Sequence, residues 1–126
     1  QYLQPYMAHI KIIVAECNGV GQPLVDSLKI AIDGKVKIEE FTTTNASKIK
    51  LINQLQVAFE QKQIKILDDE KQTNELSIYE AKVGTNGTVT YNAPTGCNDD
   101  TVIALMLSLE AKNRKNKIGK YNYTFV

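Results

Sequence analysis

Tryptophan is absent from this 126-residue chain, and it has one histidine, two cysteines and three prolines. A lone His9 leaves no ligands for a histidine-rich metal site. Cys17 and Cys97 lack the short paired spacing of a zinc finger, which argues against a zinc protein. In a cytosolic setting both thiols are expected reduced. Long apolar runs are missing too: nothing approaches the roughly 20 residues that cross a bilayer. Ile10 to Ala15 is short, carries Lys11 and leads into a polar loop, so it does not read as a signal peptide. An excess of one charge is also lacking. Fifteen Lys and Arg stand against fourteen Asp and Glu, a net +1 with His9 neutral, so composition alone does not mark a nucleic-acid binder. There is no P-loop, hence no visible ATPase site, and Gly19-Val20-Gly21 lacks the third glycine of a dinucleotide fingerprint.

What is present is an alternation of strand and helix patterns. Ile10 to Ala15 is largely β-branched and stops at a polar turn, as a buried strand does. Glu16 to Gly21 is a loop. Pro23 suits the first turn of a helix whose apolar stripe is Leu24, Val25, Leu28 and Ile32, ended by Gly34. Lys35 to Phe41 alternates as a second strand. Thr42 to Asn45 supplies a turn and a cap for a helix carrying Ile49, Ile52, Leu55 and Phe59 and ending near Lys62. Asp68-Asp69-Glu70 reads as a solvated turn. Thr73 is a candidate cap for a helix containing Leu76 and Tyr79. Gly84 and Gly87 bracket a turn before a short strand, Thr88 to Tyr91. The clearest helix is capped by Asn98, Asp99 or Asp100 and carries Val102, Leu105, Met106 and Leu109. Tyr121 to Val126 is a terminal strand or a trailing end. No repeat or linker divides the chain.

Two places hold acids that a core does not explain. Glu16 follows a buried strand, and open α/β sheets bind ligands at the carboxyl ends of their strands. Asp99 and Asp100 open the last helix. Carboxylates suit Mg²⁺ or Mn²⁺, hard cations that keep several waters. The bland readings are an ordinary acid before a helix for Glu16, and capping for one of the two aspartates. Lys112, Arg114, Lys115, Lys117 and Lys120 form a basic cluster after Glu110. The favoured reading is a helix C-terminus, where cations are at home, with phosphate contact by Lys112, Arg114 and Lys115 second.

The order of these pieces resembles the nuclease domain of phage large terminase subunits. Val14-Ala15-Glu16-Cys17-Asn18-Gly19-Val20-Gly21-Gln22-Pro23-Leu24-Val25 is similar to the segment around that family's second catalytic acid, where a strand ends in an acid, then Asn-Gly-x-Gly and a helix. Phe41-Thr42-Thr43-Thr44-Asn45-Ala46-Ser47-Lys48 looks like its next strand-to-helix junction. Glu75-Leu76 resembles the Glu-Leu before its short helix. Tyr91 to Leu105, through Asn98-Asp99-Asp100, looks like its last signature, a His-Asp-Asp sequence opening the final helix. The likeness runs from about Ile13 to Leu109.

That resemblance implies an α/β, ribonuclease H-like mixed sheet flanked by helices, a fold shared with Holliday-junction resolvases. It implies a Mg²⁺- or Mn²⁺-dependent endonuclease that cuts concatemeric double-stranded DNA in phage or prophage packaging, inside the bacterial cytoplasm. An upstream ATPase domain, a portal ring and a small terminase subunit would be its partners. By resemblance Glu16 is the second catalytic acid and a metal ligand. Asp100 is the third, Asp99 supports it as ligand or cap, Asn18 braces the turn, and Gly19 and Gly21 let it turn tightly. Two departures matter. Asn98 stands where the family often has His. The family's first catalytic Asp lies on an upstream hairpin, and no Asp or Glu precedes Glu16 here. The chain therefore reads as truncated, with that hairpin and the first strands missing, so a two-metal site belongs to the intact domain and the fragment is expected to be weak or inactive. The exposed strand edge is expected to favour a dimer. The nuclease domain is expected over 1–115, with a tail over 116–126. The alternatives are a non-catalytic α/β docking or DNA-binding module of the motor, or another ribonuclease H-like nuclease such as a resolvase.

Overall fold

The computed structural model describes the chain from Gln4 to Tyr121, with side chains as far as Arg114. Its order is a short 3₁₀ turn (Gln4–Tyr6), β1 (Ile12–Glu16), α1 (Gly21–Ile32), β2 (Lys37–Phe41), α2 (Asn45–Glu60), α3 (Glu70–Ile78), β3 (Glu80–Val83), β4 (Val89–Asn92) and α4 (Asp100–Tyr121). The chain divides into two compact units. One runs from the N-terminus to Thr43 and resumes at Glu110; the other is Thr44–Leu109. No described helix is long and apolar enough to cross a membrane.

The first unit is a strand–helix–strand element. β1 and β2 pair in parallel, from Ile12 opposite Lys37 to Glu16 opposite Phe41. Parallel neighbours need a crossover, and α1 supplies it. Val25 and Ile32 of α1 and Val36 before β2 are buried. The apolar stripe expected on α1 is narrower than its sequence suggests: Leu24 is 70% exposed. The helix also ends a residue early. Asp33, not Gly34, takes the left-handed conformation first, at φ 50°, and its N–H returns to the carbonyls of Lys29 and Ile30. Aspartate is among the few non-glycine residues that tolerate this region. Arg114 completes the unit, donating to Glu39 at 2.7 Å and Glu110 at 3.0 Å and lying over the Phe41 ring.

The second unit starts with a reciprocal cap. The Thr44 hydroxyl accepts the Ser47 N–H at 3.1 Å, and the Ser47 hydroxyl accepts the Thr44 N–H at 2.8 Å. Two otherwise unpaired amides are thereby satisfied. Leu51, Ile52, Leu55 and Ala58 form the buried face of α2, whereas Phe59 stays 40% exposed. Val102, Met106, Leu107 and Leu109 of α4 are buried too. β3 and β4 form an antiparallel hairpin, closed by Gly87 at φ 78°. Asn45 donates to the Val89 carbonyl at 3.0 Å and Lys48 to the Asn92 side chain at 3.0 Å, which ties the start of α2 to β4.

Several expectations change here. Asp69 is not part of a solvated turn but the cap of α3, accepting the Gln72 N–H at 2.8 Å. Thr73 lies inside that helix and returns its hydroxyl to the Asp69 carbonyl. Tyr79 follows the helix in extended geometry and leads into β3, a strand that the helical spacing of Leu76 and Tyr79 hid. Glu75 sits within α3, not before a helix. Among the described residues the strands form two separate two-stranded sheets, one parallel and one antiparallel, in place of one mixed sheet. α4 runs unbroken across the expected boundary at 115/116. The terminal strand expected after Tyr121 falls outside the described residues.

Candidate functional site

Glu16 is the last residue of β1, half-buried. The turn after it is tightly specified. The Asn18 amide donates to the Thr43 carbonyl at 2.7 Å, and its oxygen accepts the Thr43 N–H at 2.8 Å. One side chain thus pairs with both backbone groups of the residue that follows β2 by two positions. Gly19 holds φ 54°, a region that favours glycine. Gly21 is needed for another reason: a Cβ there would stand 2.6 Å from the Glu16 carbonyl oxygen. The chain can fold back over Glu16 only where there is no side chain. Cys17 lies beside this turn, with its sulfur 3.4 Å from the Phe41 carbonyl. Both cysteines are free thiols.

In the second unit, Asp99 and Asp100 open α4. The Asp99 carbonyl accepts the Ile103 N–H at 2.9 Å, so Asp99 occupies the cap position. Its side chain does not do the capping. The Thr101 N–H donates to Glu75 Oε2 at 2.8 Å and the Thr101 hydroxyl to the same oxygen at 2.6 Å. An amide that a local cap would satisfy is therefore held by a carboxylate from α3, only 5% exposed. The Thr101 hydroxyl bond holds the Glu75 carboxyl below its ordinary value, burial working against it. Lys71 stands 3.8 Å away on the same helix.

The capping explanation for Asp99 and Asp100 thus has a competitor in the structure. Asp99 makes an ion pair with Lys48 at 4.0 Å. The Asp100 side chain is exposed and, like that of Glu16, has no hydrogen-bond or ion-pair partner among the described residues. Tyr79 is pushed up to about 12, first by burial and then by the Asp99 charge, and its hydroxyl donates to the Tyr91 carbonyl at 3.2 Å. Sequence reasoning missed Glu75, Lys48 and Tyr79 as neighbours of the acid pair. Glu75 and Thr101 are 26 positions apart, and no local pattern announces such a contact.

The basic cluster fares differently. Arg114 is engaged by Glu39 and Glu110 and stacked on Phe41, so phosphate contact by Arg114 is corrected to a bracing role within the first unit. Lys112 is exposed. The side chain of Lys115 lies outside those described. In neither unit do three described His, Cys, Asp or Glu side chains gather closely enough to hold a metal ion together.

The crystal structure of the large terminase nuclease from thermophilic phage G20c with bound magnesium matches this chain at a TM-score of 0.67 and 22% identity, over 79% of this chain and 51% of that one. The two share a fold. This chain spans about half the length of that terminase nuclease. No protein-family profile and no curated protein matches the sequence.

Proposed function

We propose that this chain is the ribonuclease H-like nuclease domain of a phage packaging terminase, acting on concatemeric double-stranded DNA with Mg²⁺ or Mn²⁺. The observation that carries the reading is the shared fold with the G20c terminase nuclease, a protein whose crystal structure holds magnesium. The sequence adds an acid at the carboxyl end of β1 and an acid pair at the start of α4, in the order the resemblance requires. Glu16 and Asp100 are the proposed ligands, and Asp99 supports them. Their carboxylates suit a hard cation that keeps most of its waters. They fall short of the acids that a two-metal centre needs, since among the described residues no group of three gathers within either unit. A bound cation would supply Lewis acidity and an activated water. The chain's own residues would offer Glu16 at the end of β1 and Asp100 at the start of α4 as ligands, brace the Glu16 turn through Asn18, and fix the start of α4 through Glu75. An ATPase domain, a portal and a small terminase subunit are the proposed partners, in the bacterial cytoplasm.

A second reading, a docking module of the same motor without catalytic metal, is favoured by the want of a three-acid group among the described residues. Calorimetric titration of Mn²⁺ into the chain and into Glu16→Gln and Asp100→Asn separates the two. Binding weakened by both substitutions supports the nuclease reading. Binding indifferent to both, or no binding, favours the docking module.

A further inference from the structure

We infer that Glu75 is a positioning residue for the acid pair: by capping α4 from another helix, it keeps the Asp99 and Asp100 carboxylates out of the cap, so that they can face a cation. The inference deepens the nuclease reading and rests on it. An aspartate at a helix cap ordinarily turns its side chain back onto the second and third amides of the helix. Counted from the cap Asp99, those amides belong to Thr101 and Val102, and the Thr101 amide is bonded to Glu75. The Thr101 hydroxyl adds a second bond to the same carboxylate.

Glu75 is held in turn. It is 5% exposed, and α3, which carries it, has its own side-chain cap at Asp69. A carboxylate with little freedom, bonded to both donors of Thr101, fixes the first turn of α4 and hence the backbone from which Asp100 projects. Lys48 provides a second hold: bonded to Asn92 at 3.0 Å, it stands 4.0 Å from Asp99. Without Glu75 the acceptor that a cap residue ordinarily offers the exposed amide is its own side chain, here that of Asp99. The cap would then draw on the pair proposed to bind metal.

The test is Mn²⁺ calorimetry on the full chain and on Glu75→Ala, Glu75→Gln and Thr101→Val, with circular dichroism at the titration temperature to confirm folding. Glu75→Gln keeps an acceptor oxygen for the amide and is expected to hold Mn²⁺ within about threefold of the parent, whereas Glu75→Ala is expected to lose roughly tenfold or more, the range for residues that orient metal ligands. Thr101→Val removes only the hydroxyl donor and is expected to weaken binding by less. An unchanged Kd in folded Glu75→Ala overturns the inference while leaving the nuclease reading intact. Should Glu75→Ala fail to fold, an unchanged Kd in Thr101→Val overturns it equally. Equal losses in Glu75→Gln and Glu75→Ala also overturn it, because the charge and not the cap would then matter. No Mn²⁺ binding by the parent sinks the nuclease reading, and this inference with it.

Discussion

Asn18 pairs with Thr43 through two hydrogen bonds, its amide donating to the Thr43 carbonyl and its oxygen accepting the Thr43 N–H. The side chain mimics a neighbouring strand, extending the β1–β2 pairing past the point where both strands have ended. Glu16 sits two residues before it, so the bond pair sets the exit path of the chain from the candidate ligand. Asn18→Ala is expected to destabilise the chain by about 1 kcal/mol, the low end for two solvent-exposed bonds. Asn18→Asp is expected to cost more, because an acceptor would face the Thr43 carbonyl. Urea unfolding of the three proteins at neutral pH checks the order.

The two glycines of the turn are required for different reasons, and alanine substitutions separate them. Gly19→Ala must hold a side chain at φ 54° in open space, a strain of roughly 1–2 kcal/mol. Gly21→Ala pushes a Cβ against the Glu16 carbonyl. That steric conflict is expected to cost about 1–3 kcal/mol, as overpacking does. Only Gly21→Ala should shift the backbone amide resonances of Glu16 and Cys17 strongly in a ¹H–¹⁵N spectrum. Equal shifts in both variants would contradict the close approach.

Because Glu75 caps α4, Asp99 should matter less to stability than a capping aspartate normally does. Loss of a true cap costs about 1 kcal/mol. Asp99→Ala is expected to fall below that, leaving the loss of a partly exposed ion pair with Lys48. Asp100→Asn should change stability only by the few tenths of a kcal/mol of a first-turn charge. A cost above about 1 kcal/mol for Asp99→Ala would show that its own side chain does the capping.

Acidification is expected to weaken both units through depressed carboxyls. The Thr101 hydroxyl holds Glu75 below its ordinary 4.5. For Glu39 the bond from Lys37 comes first and that from Arg114 second. A carboxyl lowered in the folded state stabilises fully above its unfolded value and loses that contribution as pH falls through the folded value. The stability gap between the chain and Glu75→Gln should therefore be constant from pH 7 to about 5 and shrink below 4.5. Glu39→Gln should behave likewise. Urea midpoints across this range check both, and a gap that widens on acidification would reverse the sign.

Arg114 is expected to act on stability. Its guanidinium joins Glu39 and Glu110 and covers Phe41, with 29% of the side chain exposed. Arg114→Gln should cost about 1–2 kcal/mol, less than a fully buried pair because water still reaches it. Lys112→Gln should change stability by less than about 0.5 kcal/mol, as exposed substitutions do. Thermal melts at two salt concentrations distinguish these outcomes.

The sequence by itself determined what depends on neighbours along the chain. The strand within Ile10–Ala15, a cap within Thr42–Asn45, the Ile52 and Leu55 positions of the buried α2 face and the start of α4 near Asp100 all arise from local periodicity and capping chemistry, and all were legible. So was the placement of Glu16 at a strand end. Local signals also misled where two were in competition. The helical spacing of Leu76 and Tyr79 concealed β3, and Asp69 in an acidic run looked like solvated charge when it was a cap. Only the tertiary structure decided which carboxylate serves α4. A helix terminus must satisfy its amides, but sequence does not say whether the acceptor comes from the same turn or from a helix packed beside it. The same holds for Arg114, whose charge pattern suited a free helix end until Glu39, 75 positions away, was brought against it. Burial makes such distant partners worth more than local ones, and burial is a property of the folded chain.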